Sequence, residues 1–564
     1  MSRYSRLSLH PLTGGVRYDV DSAKREANFA TNVQNIRFRD GTLYKRPGTK
    51  TFISGTGLGA DTALAGTITN LFEYKRETGT SSIIAITGGA AIANRRIYSS
   101  SGSAFTDITP ALWIDGDSTT AGAAGKELGN LVTQPWDATV APRVTGGQQI
   151  DVLCMSYGGN EGVIPNVGVV SWDGTTLASL SQFPGSAKTL TTFAGRLFGG
   201  HIFDITAGRY RGNTLAWSNE GDCAAYTATN FVELVETPDL IERLMTMRGR
   251  MIIYKTSSIF LAEETGLPVP PIQIALYSRN VGCVAPYSIA ATDDRHFFMG
   301  ADNIYMFDGS TITPIGGPIH KQLRNINSAA YRQVFSAIDV NNSEYWLFVP
   351  EGAATVPTAA WVFNYAEGTW SRWVFPQAVT SSIRGTTAGG PTWASMASET
   401  PQRVWSEMGM TWDQLEIASQ PTVYLGMADK TVDECTYKVV NDSGVVINCQ
   451  LDTKDIDFAS ELGSTGTPIA PLDQKTLTRI SLRCTRGNSY IRVGVSVDGT
   501  NFTSATVPGT NLTYQLVPTY GGVVHFDIWK TAPRFRIRLH TMEANEQFPE
   551  VAEIILHYHT RGES

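Results

Sequence analysis

A short extended run, then Asp-Gly, then a hydroxyl residue recurs along this chain, and that recurrence restricts the folds open to it. It occurs as IRFRDGTLY (36–44), VVSWDGTTL (169–177), IYMFDGSTIT (304–313) and VSVDGTNF (495–502), while FNYAEGTW (363–370) carries Glu in place of Asp. Asp-Gly between alternating apolar runs signals a β-hairpin, because a type I′ turn requires positive φ at both central residues. Between these copies, β-branched and aromatic runs are broken by Gly, Asn, Asp and Ser about every 8–12 residues, the spacing of an all-β sandwich, barrel or propeller. Helical periodicity is confined to 319–327 and 411–417, both short enough to be connectors. With 17% charged residues the chain lacks the Glu/Lys-rich pattern of a coiled coil, and 42% apolar residues are enough to build cores rather than disorder.

A second motif, Gly-Arg before an apolar strand, stands at Gly195-Arg196 and again at Gly249-Arg250. Units of about 50–60 residues with several hairpins each are what propeller blades look like in sequence. Such units fall near 66–110, 130–182, 186–236, 240–280, 285–317 and 333–376. The expected fold is therefore all-β: an N-terminal extended segment over 1–60 that joins the propeller, a β-propeller of about six blades over 61–418, and a C-terminal β-sandwich or jelly-roll over 419–564. The sandwich reading rests on strict alternation at 490–497 (YIRVGVSV), 534–540 (RFRIRLH) and 553–559 (EIILHYH), with 460–471 read as a surface loop. A string of β-sandwiches is the competing architecture, because it shares the hairpin texture.

Catalytic signatures are scarce. The chain shows no GxGxxG opening a helix, no GxxxxGK[ST], no HExxH and no GxSxG. No catalytic residue, metal or cofactor is expected. His557 and His559 share a strand face but have no third ligand in sequence reach, and Asp115-Gly116-Asp117-Ser118 lacks the later acidic ligands of a calcium loop. Asp293 and Asp294 read as turn closers. A sialidase-like hydrolase would need an arginine cluster, a Tyr–Glu pair and Asp boxes, which SNEGDCAAY (218–226) echoes only loosely. The six cysteines form no CxxC pair, so a reducing compartment is expected, with Cys435–Cys449 the one pairing a hairpin would allow. Tryptophans at 361, 370, 373, 393, 405 and 412 are expected to fill the tapered space between blades.

Charge narrows the partners. The formal net charge is −7, against the basic surplus of a nucleic-acid coat. No run reaches the length of a membrane span, and the first fifteen residues lack the apolar stretch of a secretory signal. Alternation places Arg534, Arg536 and Arg538 on one strand face, which reads either as solvated or as a face docking onto an acidic partner.

The N-terminal series Gly14-Gly15-Val16, Glu26-Ala27-Asn28, Asn32-Val33, Phe38-Arg39-Asp40-Gly41 and Lys45-Arg46-Pro47-Gly48-Thr49 resembles the start of packaged-DNA stabilisation, or tail nozzle and hub, proteins of short-tailed bacteriophages. The resemblance continues through MRGRMIIYKTSS (247–258), RNVG (279–282), Pro286-Tyr287-Ser288, the aromatic strand 297–300 and IYMFDG (304–309). It covers about residues 10–415. It implies a propeller body assembled as a homo-oligomer, a hexameric ring below the portal and its head-to-tail adaptor, with docking surfaces for tail fibres or spikes and for a distal plug. Double-stranded DNA would pass through the channel without sequence-specific binding. The place of action would be the virion tail, after assembly in the host cytoplasm, and the protein would not be an enzyme. The residues matching the family's turns are Arg46, Pro47, Gly48, Asp173, Gly174, Asp308 and Gly309. A conduit must not hold its cargo, and each Lys or Arg on phosphate adds affinity through counterion release, so a neutral or acidic bore is expected. The alternative is a tail receptor-binding or carbohydrate-binding propeller protein, which exposed aromatics in the C-terminal sandwich would favour. A polysaccharide-degrading enzyme would instead need paired carboxylates in a cleft.

Overall fold

Alternating runs punctuated by turn residues dictate hairpins, and hairpins dominate the computed structural model. It describes residues 5–9, 14–21, 26, 28–52, 64–76, 81–89, 94–100, 104–109, 136–157, 168–204, 209–267, 270–386, 421–437, 439–458, 473–487, 489–541 and 548–560. The protein is mostly β, built from repeated four-stranded antiparallel sheets in the manner of a β-propeller. Unit one runs from Thr67–Lys75 to Thr106–Asp107, unit two from Trp136–Thr145 to Leu177–Ser179, and unit three from Gly185–Phe193 to Phe231–Glu233. Unit four runs from Ile241–Met247 to Ile272–Ser278, unit five from Ala290–Ala291 to Ile312–Pro314, and unit six from Phe335–Asp339 to Thr369–Val374. Each keeps its strands in sequence order, because tight turns join antiparallel neighbours directly.

A seventh unit closes the series. It consists of Val379–Gly385, Thr422–Met427, Val432–Thr436 and, as fourth strand, Gly48–Thr51 from near the N-terminus. Its first strand packs on the first strand of unit one, as the first strands of units one, two, three and four pack on one another in turn. The count of about six blades omits this unit. Its first two strands are separated by 36 residues of sequence from Thr386 to Pro421, and its last strand comes from the other end of the chain. The boundary read at 418/419 falls inside it for the same reason.

Apolar seams hold the units together. Tyr74, Ile84, Trp136 and Trp172 bury the seam of units one and two, and Phe198, Trp217, Leu244 and Ile253 that of units three and four. Tyr254 and Phe298 meet at 5.1 Å across units four and five, and Phe297 stacks on Tyr345 at 5.1 Å across five and six. Trp346, Trp373, Val379 and Leu425 fill the seam of six and seven, and Ile68, Ile83 and Tyr424 that of seven and one. Trp361, Trp370 and Trp373 are buried as the sequence suggests; residues 393, 405 and 412 lie outside the described residues.

The C-terminal region, from Gln450 onward, forms two facing sheets. In one, Lys475–Arg486 lies between Gly522–Ala532 and Glu550–Thr560; in the other, Phe535–His540 lies between Gln450–Thr453 and Ser489–Val497. Ile480, Leu482, Phe526 and Leu556 from the first meet Val493, Val495, Ile537 and Leu539 from the second in one core, with Phe458 touching both Tyr558 and Phe535. The N-terminal segment is woven into this body as well as into the ring. Ser5–Leu9 pairs with Glu550–Thr560, and Phe29–Gln34 lies between Gln450–Thr453 and Thr369–Val374.

The helical reading at 319–327 reduces to one turn, His320–Leu323, preceded by a 3₁₀ turn at Gly317–Ile319; 411–417 lies outside the described residues. All six cysteines are free and buried. Cys435 sits in the seam of units six and seven and Cys449 in the core of the C-terminal body, so the two do not pair. Among the described residues, no helix is long and apolar enough to cross a membrane.

Candidate functional site

The residues of the recurring turns do two different jobs. Asp40-Gly41 and Asp498-Gly499 have positive φ at both positions, the I′ geometry. At Asp173-Gly174 and Asp308-Gly309 only the glycine is left-handed, with φ of 95° and 88°. There the carboxylate organises the turn: Asp173 Oδ1 accepts from the Thr175 amide at 2.8 Å, the Thr175 hydroxyl at 2.7 Å and the Thr176 amide at 2.7 Å. Asp308 Oδ1 does the same with the Ser310 amide and hydroxyl and the Thr311 amide. Those bonds, the Ser310 amide first, hold the Asp308 carboxyl below its usual range.

Arg46-Pro47-Gly48 is a buried junction. The Arg46 guanidinium pairs with Asp442 and donates to Asn35 Oδ1 at 3.0 Å and to the Val374 carbonyl at 2.9 Å, with its plane over Phe375. A Cβ on Gly48 would meet the Asn441 carbonyl oxygen at 2.3 Å, so only glycine lets the strand pass.

Arg536 and Arg538 share the outer face of the Phe535–His540 strand, while Phe535, Ile537 and Leu539 point into the core. The acidic groups expected from a partner come from the chain itself. Arg536 forms an ion pair with Asp455 at 2.8 Å, and Arg538 with Asp452 at 2.7 Å. Arg538 also lies 3.7 Å from the Phe502 ring centroid, in space that Gly494 on the next strand leaves open. Arg534 precedes the strand, and its Nε is buried without a hydrogen-bond partner among the described residues. Beyond Gly494 the same face carries Arg492 over Tyr514, and Tyr514 edge-on to Tyr490 at 5.4 Å. Tyr490, Leu512, Tyr514 and Leu516 are exposed there. Tyr520, on the following turn, is 97% exposed, and Trp529, on the other sheet, 68%. On that sheet His557 Nε2 and His525 Nδ1 both hydrogen-bond the Ser481 hydroxyl. Among the described residues no group of three His, Cys, Asp or Glu converges as a metal-ligand set; residues 115–118 lie outside them.

The sequence reading missed a second place, where the first strands of the units meet. A cavity of about 520 Å³ is lined by residues 67–72, 136–138, 335–338 and 380–384, together with Arg243, Tyr287, Ile289 and Arg332. Its carboxylate is Asp137. Asp137 Oδ2 accepts from the Thr189 hydroxyl at 2.8 Å and the Leu190 amide at 2.9 Å, and Oδ1 from Arg243 at 3.2 Å. Arg243 lies over the Tyr287 ring. Burial, with Asp137 nearby, pushes the Tyr287 hydroxyl above its usual range. Positions 137, 243, 332 and 384 come from four different units or connectors, so no linear motif announces them.

The described architecture defines a mostly β, propeller-type protein. No protein-family profile matches the sequence, and no curated protein does. Among solved structures, the chain is similar to an exo-β-1,3-galactanase from Phanerochaete chrysosporium in complex with galactose. The identity is 12%, covering 65% of this chain and 95% of that one, with a TM-score of 0.22. It is also similar to the extracellular domain of BT4673 from B. thetaiotaomicron, at 9% identity, covering 93% of this chain and 61% of that one, with a TM-score of 0.33. Likenesses this distant carry no argument about activity or ligand.

Proposed function

We propose that the chain is a non-catalytic tail protein of a short-tailed phage, a nozzle or hub subunit that docks through the outer sheet face of its C-terminal body. The observation that supports this is the composition of that face: Arg492, Arg536 and Arg538 alternate with Tyr490, Tyr514 and Phe502. Arginine and tyrosine are the residues that protein interfaces enrich and that anchor them. Because Asp452 and Asp455 already neutralise two of the arginines, the face meets a neighbour as a planar polar–aromatic surface rather than as a cationic one. In this reading about six blade units (seven with the closing one) form a rigid disc. Copies of it build a hexameric ring under the portal adaptor, fibres or spikes and a distal plug attach to it, and DNA passes without sequence-specific binding.

A second reading, a tail receptor-binding or carbohydrate-binding protein, is favoured by the exposed rings of Tyr520, Trp529, Tyr490 and Tyr514, which offer flat surfaces for sugars. One experiment separates the two. Electron microscopy of the purified chain, alone and mixed with a portal–adaptor complex, should show six-fold rings capping the adaptor, and the double variant Tyr490→Ser/Tyr514→Ser should lose them. A monomer that ignores the adaptor but binds a glycan array through the same tyrosines would replace the first reading with the second. Charge reversal of the arginines is the poorer test, because a Glu at 536 or 538 would face Asp455 or Asp452 and disturb the fold.

A further inference from the structure

We infer that Cys154 and Cys223 form an oxidation site, two thiols placed to close into a disulfide that staples unit two to unit three. Their sulfurs lie 3.7 Å apart, with the Cys154 thiol donating toward Cys223. That is sulfur–sulfur contact. A disulfide needs about 2.05 Å, and side-chain rotation with a small shift of the seam closes the difference. The pair sits in the apolar seam of the two units, beside Val152, Leu180, Leu190 and Leu197. A lone cysteine there would be a small hydrophobe filling space. Two in contact from opposite sides of a seam offer a bond that packing does not require. The other cysteines are placed differently: Cys283 and Cys435 lie in two other seams, and Cys449 and Cys484 in the core of the C-terminal body.

Both partners are held in place. Cys154 is laddered to Thr139 on one side and Ser171 on the other, inside the sheet of unit two. Cys223 belongs to a connection of unit three that docks on unit two. Its amide donates to the Pro142 carbonyl at 2.8 Å, and Asp222 Oδ1 accepts from the Val144 amide at 3.3 Å. Once one sulfur is oxidised, the other is therefore the nucleophile already in position. The thiols are 0% and 2% exposed, so the oxidant class that fits is a small peroxide. Hydrogen peroxide converts one thiol to a sulfenic acid, its O–O bond breaking and one water leaving. The second sulfur then attacks the sulfenic sulfur; the S–S bond forms, and the departing hydroxide takes the thiol proton as a second water. Two electrons pass from the dithiol to the peroxide. The hydrogen bond to Cys223 and burial both hold the Cys154 thiol protonated, which keeps the pair reduced until peroxide is supplied. The bond would close a loop between residues 69 apart in sequence, which restricts the unfolded chain more than the folded one. This site rests on neither reading of the protein's function.

The test is treatment of the intact chain with hydrogen peroxide, then alkylation in denaturant, thiol counting and peptide mapping. The count should fall by two from the chain's six. One linked pair of peptides, carrying Cys154 and Cys223, should appear with the mass of its parts less two hydrogens. Cys154→Ser and Cys223→Ser should each keep all their remaining thiols at the same dose. The map is read on the parent chain, so it stands whether or not a serine variant folds. The oxidised parent should melt about 2 °C or more above the reduced one, and a thiol reductant should break the link quickly only in denaturant. A full count of six thiols after peroxide, thiols lost to sulfinic acid without a link, or a link between other cysteines would overturn the inference. A Cys154–Cys223 link that fails to raise the melting temperature would overturn its role as a staple.

Discussion

Arg46 shows how far a residue's role can sit from its motif. In sequence it belongs to a Lys-Arg-Pro-Gly run and reads as part of a turn. In the fold its guanidinium is buried against Asp442, Asn35 and the Val374 carbonyl, tying the N-terminal segment to units six and seven. Removing one partner of a buried pair strands the other charge, so Arg46→Ala should destabilise the chain by about 3–5 kcal/mol in chemical denaturation. Arg46→Lys should recover only part of that, since an ammonium cannot reproduce the planar fork. The buried histidines give a pH dependence of definite sign. Burial lowers His201 and His296 from about 6.5 to about 4, with His296 held between the Tyr254 hydroxyl and the Thr246 carbonyl. Between those values the unfolded chain binds more protons than the folded one, so stability present at pH 7 is lost as pH falls from about 6.5 toward about 4. Each histidine contributes on the order of 3 kcal/mol to that loss. Denaturation midpoints measured at pH 7.5, 6 and 5 should fall steadily, above the range where ordinary carboxylates titrate. None of this was legible beforehand, because burial depends on neighbours outside the local segment, 42 and 50 residues away for His296 and 396 for Arg46.

Strands and turns were the most legible layer, and the reason is local. Positions such as 535–540 alternate strictly, so their inward and outward faces follow from backbone geometry alone. The Asp-Gly pairs correctly marked strand ends, but the expectation of one turn type for all of them was too uniform. Where Thr-Thr or Ser-Thr follows the glycine, the carboxylate finds amide and hydroxyl donors, as at Asp173 and Asp308, and the aspartate keeps negative φ. The two types should respond differently to substitution. Asp308→Ala removes an acceptor from three donors and should cost about 1–2 kcal/mol, with faster hydrogen exchange at the Thr311 amide. Asp498 has φ of 47°, so Asp498→Gly relieves a left-handed residue and should leave stability within about 0.5 kcal/mol of the parent. The arginines of the 535–540 strand teach a related lesson. Alternation placed Arg536 and Arg538 on one face correctly, but it could not show that Asp455 and Asp452 lie on or beside the adjoining strand.

At the scale of the whole molecule, the chain's two ends are stitched together by strands the sequence could not assign. Six units were legible because each is local, a run of hairpins within about 50 residues. The seventh was not, because Gly48–Thr51 pairs with Val432–Thr436 across about two thirds of the chain's length. The segment 29–34 is the second stitch, continuing unit six at Gln34–Arg372 and the C-terminal body at Val33–Leu451. Val33 is fully buried in a core that also holds Trp361, Trp370, Leu451 and Ile537, residues of both bodies. Two bodies sharing a sheet and a core should unfold together, unlike domains joined by a linker, whose transitions separate. The parent should therefore give one main calorimetric transition. Val33→Asp buries an unpaired carboxylate at the junction, a change of about 3–5 kcal/mol that the rest of either body does not feel directly. It should split the endotherm in two, with the ring and the C-terminal body melting at separate temperatures. A single transition shifted as a whole would mean that the coupling runs through the other stitch, the fourth strand of unit seven, and Gly48→Val, which drives a side chain into the Asn441 carbonyl, would then be the variant that separates them.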